Sequence, residues 1–312
     1  MLRELRPADA PRVAEFLRQE FPAEEAILGT RPEGIAKVVQ RIFRWDLRFL
    51  LALMRLVNRA PFRFFVIADG GRIVATTLLS FPPAAGYLSM VVVDPACRRR
   101  GYARRLLEAA RTGAGRRRRP FMVLDVLQEN APARQLYESS GYRTLRSTAY
   151  LVLDVAAVAG GPGAAPSGVR PFRPSDAGPL AEIAQRTAPP EVARVLPTRP
   201  KELVGSGIVE RVMSSEIASW VVDRGHGPEA FLSAVVTPIT EAAHLSAPIV
   251  AESVEPPVAT ALVRTAVAWV AARRAPRLVA LVPDDNTRGR AALAEVGFRN
   301  AFGVLTLYRP TA

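Results

Sequence analysis

Three consecutive arginines and a glycine, Arg98-Arg99-Arg100-Gly101, form the stretch of this chain best suited to hold an anion. Guanidinium groups bind phosphate oxygens two at a time. A glycine lets the backbone approach a ligand closely. The flanks supply the rest. Leu88 to Val93 is an apolar run that reads as a buried strand, and Ala103, Leu106, Leu107 and Ala110 recur at helical spacing. Strand, turn and helix N-terminus together offer unpaired N–H groups and the positive end of a helix dipole, which suits a pyrophosphate. The chain contains no Gly-x-x-x-x-Gly-Lys-Ser/Thr and no Gly-x-Gly-x-x-Gly, which argues against a P-loop and against a dinucleotide Rossmann site.

A second segment carries further polar residues at fixed spacing. Phe121 to Val126 reads as another buried strand, with Asp125 in its middle. An ionised carboxylate there is costly unless paired. The strand leads into Asn130-Ala131-Pro132-Ala133-Arg134-Gln135-Leu136-Tyr137-Glu138-Ser139-Ser140-Gly141-Tyr142. Asn130 suits a helix N-cap, Pro132 the first turn, and Gly141 a left-handed C′ position.

These two segments, in this order, resemble the GCN5-related N-acetyltransferase (GNAT) superfamily. Arg98-x-x-Gly101-x-Ala103, preceded by Val93-Asp94-Pro95, is similar to that family's acetyl-coenzyme A signature. The helix from Asn130 is similar to its Asn-x-x-Ala-x-x-Leu-Tyr-Glu-x-x-Gly-Phe/Tyr. The resemblance covers roughly residues 1 to 154. It implies coenzyme contacts at Val91, Val93, Arg98, Arg99, Gly101, Tyr102, Ala103 and Asn130. It implies that a backbone N–H near Val91 polarises the acetyl carbonyl and that Tyr137 protonates the leaving thiolate. For Asp125 two readings stand: a base that takes the amine proton through a water, or a structural carboxylate bonded to a neighbour. For Asn130 a helix cap alone is the other reading. Glu24 and Glu25 fall where the family places acceptor-binding helices. Arg116 to Arg119 reads as a solvated connection between helix and strand.

Composition frames this. At ~150 residues per domain, a chain of 312 residues suggests two domains. The formal charge is +13, and because Lys37 and Lys201 are the only lysines, arginine carries it. An anionic coenzyme fits that sign. Nucleic acid would too, but no basic arm or aromatic-basic ladder supports it. Cys97 is the only cysteine, so no disulfide framework or cysteine metal cluster is expected. His226 and His244 lie far apart in the sequence, and no metal is expected. Met1 to Leu5 lacks the apolar core of a signal peptide. Ile42 to Val57 carries Arg44, Asp46, Arg48 and Arg55, so it reads as an amphipathic helix and not a membrane span. A cytoplasmic protein is expected.

The chain also repeats itself. Leu2-Arg3-Glu4-Leu5-Arg6-Pro7-Ala8-Asp9-Ala10 is echoed by Val169-Arg170-Pro171-Phe172-Arg173-Pro174-Ser175-Asp176-Ala177, Tyr87-Leu88-Ser89 by His244-Leu245-Ser246, and Asn130 to Tyr142 by Asn286 to Phe298. Opposite the arginine turn stands Glu252-Ser253-Val254-Glu255-Pro256-Pro257-Val258, whose glutamates repel phosphate and whose prolines lack N–H groups. Tyr137 corresponds to Leu293, and Asp125 to Leu281. The expected fold is a mixed α/β one. It has two tandem GNAT domains, each a mixed, largely antiparallel sheet flanked by helices. The expected boundaries are 1–154, an Ala/Gly/Pro linker at 155–168, and a degenerate copy at 169–312. The expected function is direct acetyl transfer from acetyl-CoA to an amine, a small molecule or a peptide N-terminus, in the first domain. A CoA-binding scaffold without turnover is the alternative, and a nucleic-acid binder a more distant one. Nothing in the sequence sets an oligomeric state.

Overall fold

Asp69-Gly70-Gly71-Arg72 sets the first hairpin. Both glycines have positive φ, +54° and +79°, and Asp69 pairs with Arg72, so this two-residue turn matches the twist of its strands. It joins β2 (Phe62–Asp69) to β3 (Arg72–Ser80). The computed structural model describes residues 1–6, 9, 11–13, 27, 29, 62–82, 84–158, 168–204 and 215–312. The Ile42 to Val57 segment therefore lies outside the described residues, as does most of the expected linker.

The described residues fall into two units. The first holds β1 (Leu2–Glu4), β2, β3, β4 (Ala85–Val93), helix α1 (Tyr102–Gly115), β5 (Phe121–Leu127) and helix α2 (Ala131–Ser139). The second holds most of β6 (Arg143–Asp154), then β7 (Val169–Pro171), α3 (Ala177–Thr187), α4 (Pro190–Val195), α5 (Pro200–Val204), β8 (Glu216–Asp223), β9 (Pro228–Val236), β10 (Ala243–Leu245), β11 (Ile249–Val250), α6 (Pro256–Ala271), β12 (Arg277–Pro283) and α7 (Thr287–Val296). The last strand, β13 (Arg299–Pro310), begins in the second unit and ends in the first, because Leu305–Ala312 cluster with the first.

Each unit has one sheet with the same order. In the first it runs β1-β2-β3-β4-β5-β13, and in the second β7-β8-β9-β10-β12-β6. Only β4 with β5 and β10 with β12 are parallel among the registered pairs of these units. The mixed, largely antiparallel sheets expected from the sequence are therefore present. The linear limits 1–154 and 169–312 differ from the compact units by an exchange of ends. The sixth strand of the first unit is the tail of the chain, and the sixth strand of the second is β6, which sequence position alone would assign to the first.

The repeat has the same structural meaning in both copies. Arg3 Nη1 donates to Asp9 at 2.5 Å and Arg170 Nη1 to Asp176 at 2.8 Å. Each aspartate also accepts a backbone N–H, from Arg6 or Arg173, at 2.7 Å. The arginines hold both carboxyls below the usual carboxylate range.

In the first unit α1 buries Leu106, Leu107, Ala110, Gly113 and Ala114 on the sheet, as the helical spacing predicts. Gly86 makes close packing possible. A Cβ there would lie 2.8 Å from the Ala114 Cβ and 3.0 Å from the Met122 sulfur. The core continues through Leu79, Leu88, Met122, Leu124, Val126 and Tyr137. The second core gathers Leu232, Leu262, Val263, Ala266, Leu278 and Leu293.

Candidate active site

Two irregularities of β4 coincide. Its pairing with β5 covers Ala85 to Leu88 and stops at Leu88 opposite Leu124. The strands part from there. In the same place β4 holds one residue more than β3: Leu78 pairs with Ser89, and Thr76 with Val92. Met90 and Val91 are the bulge, and Met90 adopts φ +55°. Thr77 fixes its near side by donating to the Ser89 carbonyl at 3.0 Å. A cleft thus opens between two parallel strands, with an unladdered piece of backbone at its edge.

The arginine turn follows. Asp94 caps the short 3₁₀ turn Pro95–Cys97 by accepting the Ala96 N–H at 3.0 Å, and Arg12 donates to the same carboxylate at 3.3 Å. Arg98 folds back, its Nε donating to the Val93 carbonyl at 3.2 Å. Arg99 and Gly101 both have positive φ, +66° and +77°. Gly101 is the N-cap of α1 and has no side chain to bond the first-turn N–H groups. Residues 99 to 103 therefore present backbone donors and a helix dipole to the surface. Tyr102 spends its hydroxyl on Asp69, at 2.7 Å, which ties the helix start to the end of β2. Only its backbone is left for a ligand. Arg116 to Arg119 close the opposite end of α1, where cations suit the dipole. A 14-residue helix is about 20 Å long, so that run stands well away from Gly101. It is less solvated than expected: Arg117 stacks on Phe81, 3.9 Å from the ring centre.

Across the cleft, α2 is built as its sequence predicts. Asn130 accepts the Ala133 N–H at 3.1 Å, and Gly141 has φ +83°. The Tyr142 N–H reaches the Tyr137 carbonyl at 3.0 Å, closing a Schellman turn. Among the described residues, the Asn130 side-chain NH₂ makes no hydrogen bond. Tyr137 is buried edge-on against Tyr142, with ring centres 5.9 Å apart. Burial pushes its hydroxyl up to about 12, so the phenol is neutral at physiological pH. Among the described residues it has no hydrogen-bond partner. The buried Tyr142 hydroxyl also lacks one.

Asp125 lies elsewhere. Leu124 and Val126 pack in the same cluster as Tyr137, so a strand period of two puts Asp125 on the other face of the sheet. It is exposed there, not buried as its place in an apolar run suggested. Tyr87 Oη donates to one carboxylate oxygen and Thr306 Oγ1 to the other, the latter at 2.7 Å. Thr306 comes from β13, 181 positions away, and sequence reading missed it. Glu24 and Glu25 lie outside the described residues.

The second unit repeats this plan with other residues at the same positions. Leu245 pairs with Ala234 and Ile249 with Phe231, the same steps that link Leu88 to Leu79 and Val92 to Thr76. That register sets Pro248 at the place of Val91, so the second bulge lacks this N–H. Val279 pairs with His244 as Val123 pairs with Tyr87, which puts Leu281 at the place of Asp125. Glu255 occupies the N-cap position of α6 without a side-chain cap hydrogen bond, followed by Pro256 and Pro257. Asn286 caps α7, but its NH₂ also donates to the Pro248 carbonyl at 2.7 Å. The side chain that is unspent in the first unit is tied to the bulge in the second.

Residues 15–142 match the family model described as Acetyltransferase (GNAT) family. No curated protein matches the chain. Solved structures do. A tandem GNAT protein from the clavulanic acid biosynthesis pathway is similar over 100% of this chain and 98% of its own, with TM-score 0.66 and 20% identity. A GCN5-related N-acetyltransferase from Sphaerobacter thermophilus is similar over 100% and 95%, with TM-score 0.67 and 16% identity. A glucosamine N-acetyltransferase region of a fungal multi-domain β-N-acetylglucosaminidase is similar over 99% of this chain and 38% of that one, with TM-score 0.67 and 14% identity. At such identities these likenesses speak for the fold. No helix among the described residues is long and apolar enough to cross a membrane. The parted strands, the turn before the helix and the family match fall in the same unit: residues 15–142 are similar to the acetyltransferase (GNAT) family, and the solved structures share the fold of the chain.

Proposed function

We propose that the first unit transfers an acetyl group from acetyl-CoA directly to an amine. The observation that carries this is the bulge at Met90 and Val91 where β4 and β5 part. It leaves a backbone N–H of the kind that stabilises a developing oxyanion without reorganisation. The turn 98–103 would hold the pyrophosphate, through its N–H groups and Arg99. Val93, the last residue of β4, would contact the coenzyme just before the turn, and the Asn130 amide suits the pantetheine arm. Tyr137, neutral and buried, is the proton donor to the leaving thiolate. Asp125, exposed on the opposite face, takes the proton of the incoming amine directly or through water. Donor and acceptor then approach the cleft from opposite faces of one sheet.

Thermal unfolding with acetyl-CoA, CoA and an oligonucleotide is the first test, because a ligand that binds only the folded state raises the Tm. A shift with both coenzymes and none with the oligonucleotide is expected. No shift with acetyl-CoA overturns the proposal. A panel of polyamines, aminosugars, aminoglycosides and peptide N-termini, read by thiol release, tests turnover. Coenzyme binding with no acetylated amine would leave a CoA-binding scaffold.

A further inference from the structure

The carboxylate of Asp125 is held from both sides by hydroxyl groups of two other strands. Tyr87 stands on β4, just before the strands part. Thr306 stands on β13 and is 4% exposed, so its hydroxyl is fixed in a packed wall. A carboxylate has about four acceptor positions. Two O–H donors, one on each oxygen, stop its rotation about χ2 and leave a lone pair on each oxygen for the solvent side, where Asp125 is open. The second unit shows the same positions without the device. His244, Leu281 and Tyr150 stand there, since His244 pairs with Val279 and Leu281 with Tyr150. Tyr150 instead stacks on Phe302, with ring centres 4.4 Å apart.

We infer that Thr306, with Tyr87, is a positioning residue for Asp125, so that the final strand of the chain completes the acceptor side of the first unit's site. This rests on the acetyl-transfer reading above, in which Asp125 receives the amine proton. It gives the C-terminal copy a task unrelated to its lost chemistry: the strand that leaves it carries Thr306 to the first unit's sheet. The exchange of ends is then part of the site, and the first 154 residues lack one of its polar groups.

The test uses the full chain and the best amine from the panel, comparing Thr306→Val, Thr306→Ser, Tyr87→Phe and Asp125→Asn. Loss of a supporting hydrogen bond to a functional group costs about 10- to 100-fold in activity. That fall is expected in kcat/KM for the amine with Thr306→Val and Tyr87→Phe, with the KM for acetyl-CoA held within about twofold. Thr306→Ser, which restores the hydroxyl, returns the rate to within about threefold of wild type. A wild-type amine kcat/KM in Thr306→Val, or a loss that serine does not rescue, overturns the inference while acetyl-CoA binding leaves the acetyl-transfer reading standing. Should Thr306→Val fail to fold, an unchanged kcat/KM in Tyr87→Phe overturns it equally. A wild-type rate in Asp125→Asn removes Asp125 from its role, and Thr306 with it. Failure of the acetyl-transfer reading is recognised separately, by the absence of any Tm shift with acetyl-CoA.

Discussion

The two units share a sheet order, a bulge, a parallel pair and an asparagine-capped helix, yet they differ at most positions of the proposed site. Val91 corresponds to Pro248, Asp125 to Leu281, Tyr137 to Leu293, and the glycine turn at Gly101 to Glu255-Pro256-Pro257, neither turn having a side-chain cap hydrogen bond. The packing residues did not diverge in this way. Leu124 and Ala280, and Ala110 and Ala266, are buried alike. The contrast separates what the fold needs from what the reaction needs. A bulge persists without its N–H donor because it serves the register of the sheet. A helix persists behind a proline-bearing turn because its apolar stripe still packs.

Transplanting residues of the second unit into the first tests this contrast. The largest effect is expected from Val91→Pro. Removing one preorganised donor costs roughly 10²- to 10³-fold in kcat. Steady-state kinetics should show that loss with acetyl-CoA binding retained, provided circular dichroism shows an intact fold. A kcat within about threefold of wild type would mean that Val91 is not the donor.

Tyr137→Phe should lower kcat by roughly 10²-fold, since general acid catalysis contributes 10²–10⁴. The hydroxyl makes no hydrogen bond among the described residues, so the Tm should hold or rise slightly. Unaltered turnover would leave Tyr137 as a core aromatic paired with Tyr142.

The two caps sharpen the comparison by stability. Asn286 makes two hydrogen bonds and Asn130 one. Replacing an N-cap by alanine costs ~1 kcal/mol, and the bond to Pro248 adds to it. Chemical denaturation should therefore find Asn286→Ala more damaging than Asn130→Ala. Calorimetry should find that only Asn130→Ala weakens acetyl-CoA binding.

The smallest effect concerns what the units have in common. Asp9 and Asp176 are held below the ordinary carboxylate range by Arg3 and Arg170. A depressed folded pKa stabilises the protein above the unfolded value and is lost as pH falls through the folded one. Tm scans from pH 7 to 2 should show this loss beginning below about pH 4. Asp176→Asn should flatten that acid limb while lowering the Tm at neutral pH; an unchanged limb would mean other carboxylates dominate it.

Much of this was legible in the chain itself. The strand, arginine turn and helix around Gly101, the cap at Asn130, the Gly141 turn and the repeat of the Arg–Asp pair are all local. Spacing along one segment fixes them, because a helix or hairpin is decided by neighbours within a few residues. Asp125 shows where that reach ends. Its apolar flanks suggested burial, but which face of a sheet is open depends on what covers it. The equivalence of Val91 with Pro248 likewise needs strand register, which neighbouring strands set.

The sequence by itself determined the elements, the duplicated plan and the place of the arginine turn, because those follow from backbone preference and periodicity. Only the tertiary structure decided that the strands part at the bulge, that Asp125 and Tyr137 look out from opposite faces, and that Thr306 comes from the far end of the chain. Those depend on how separate strands pair and which face each covers, and in the last case on residues 181 positions apart. An exchanged strand satisfies the sheet as well as a consecutive one would, so no local signal distinguishes the two.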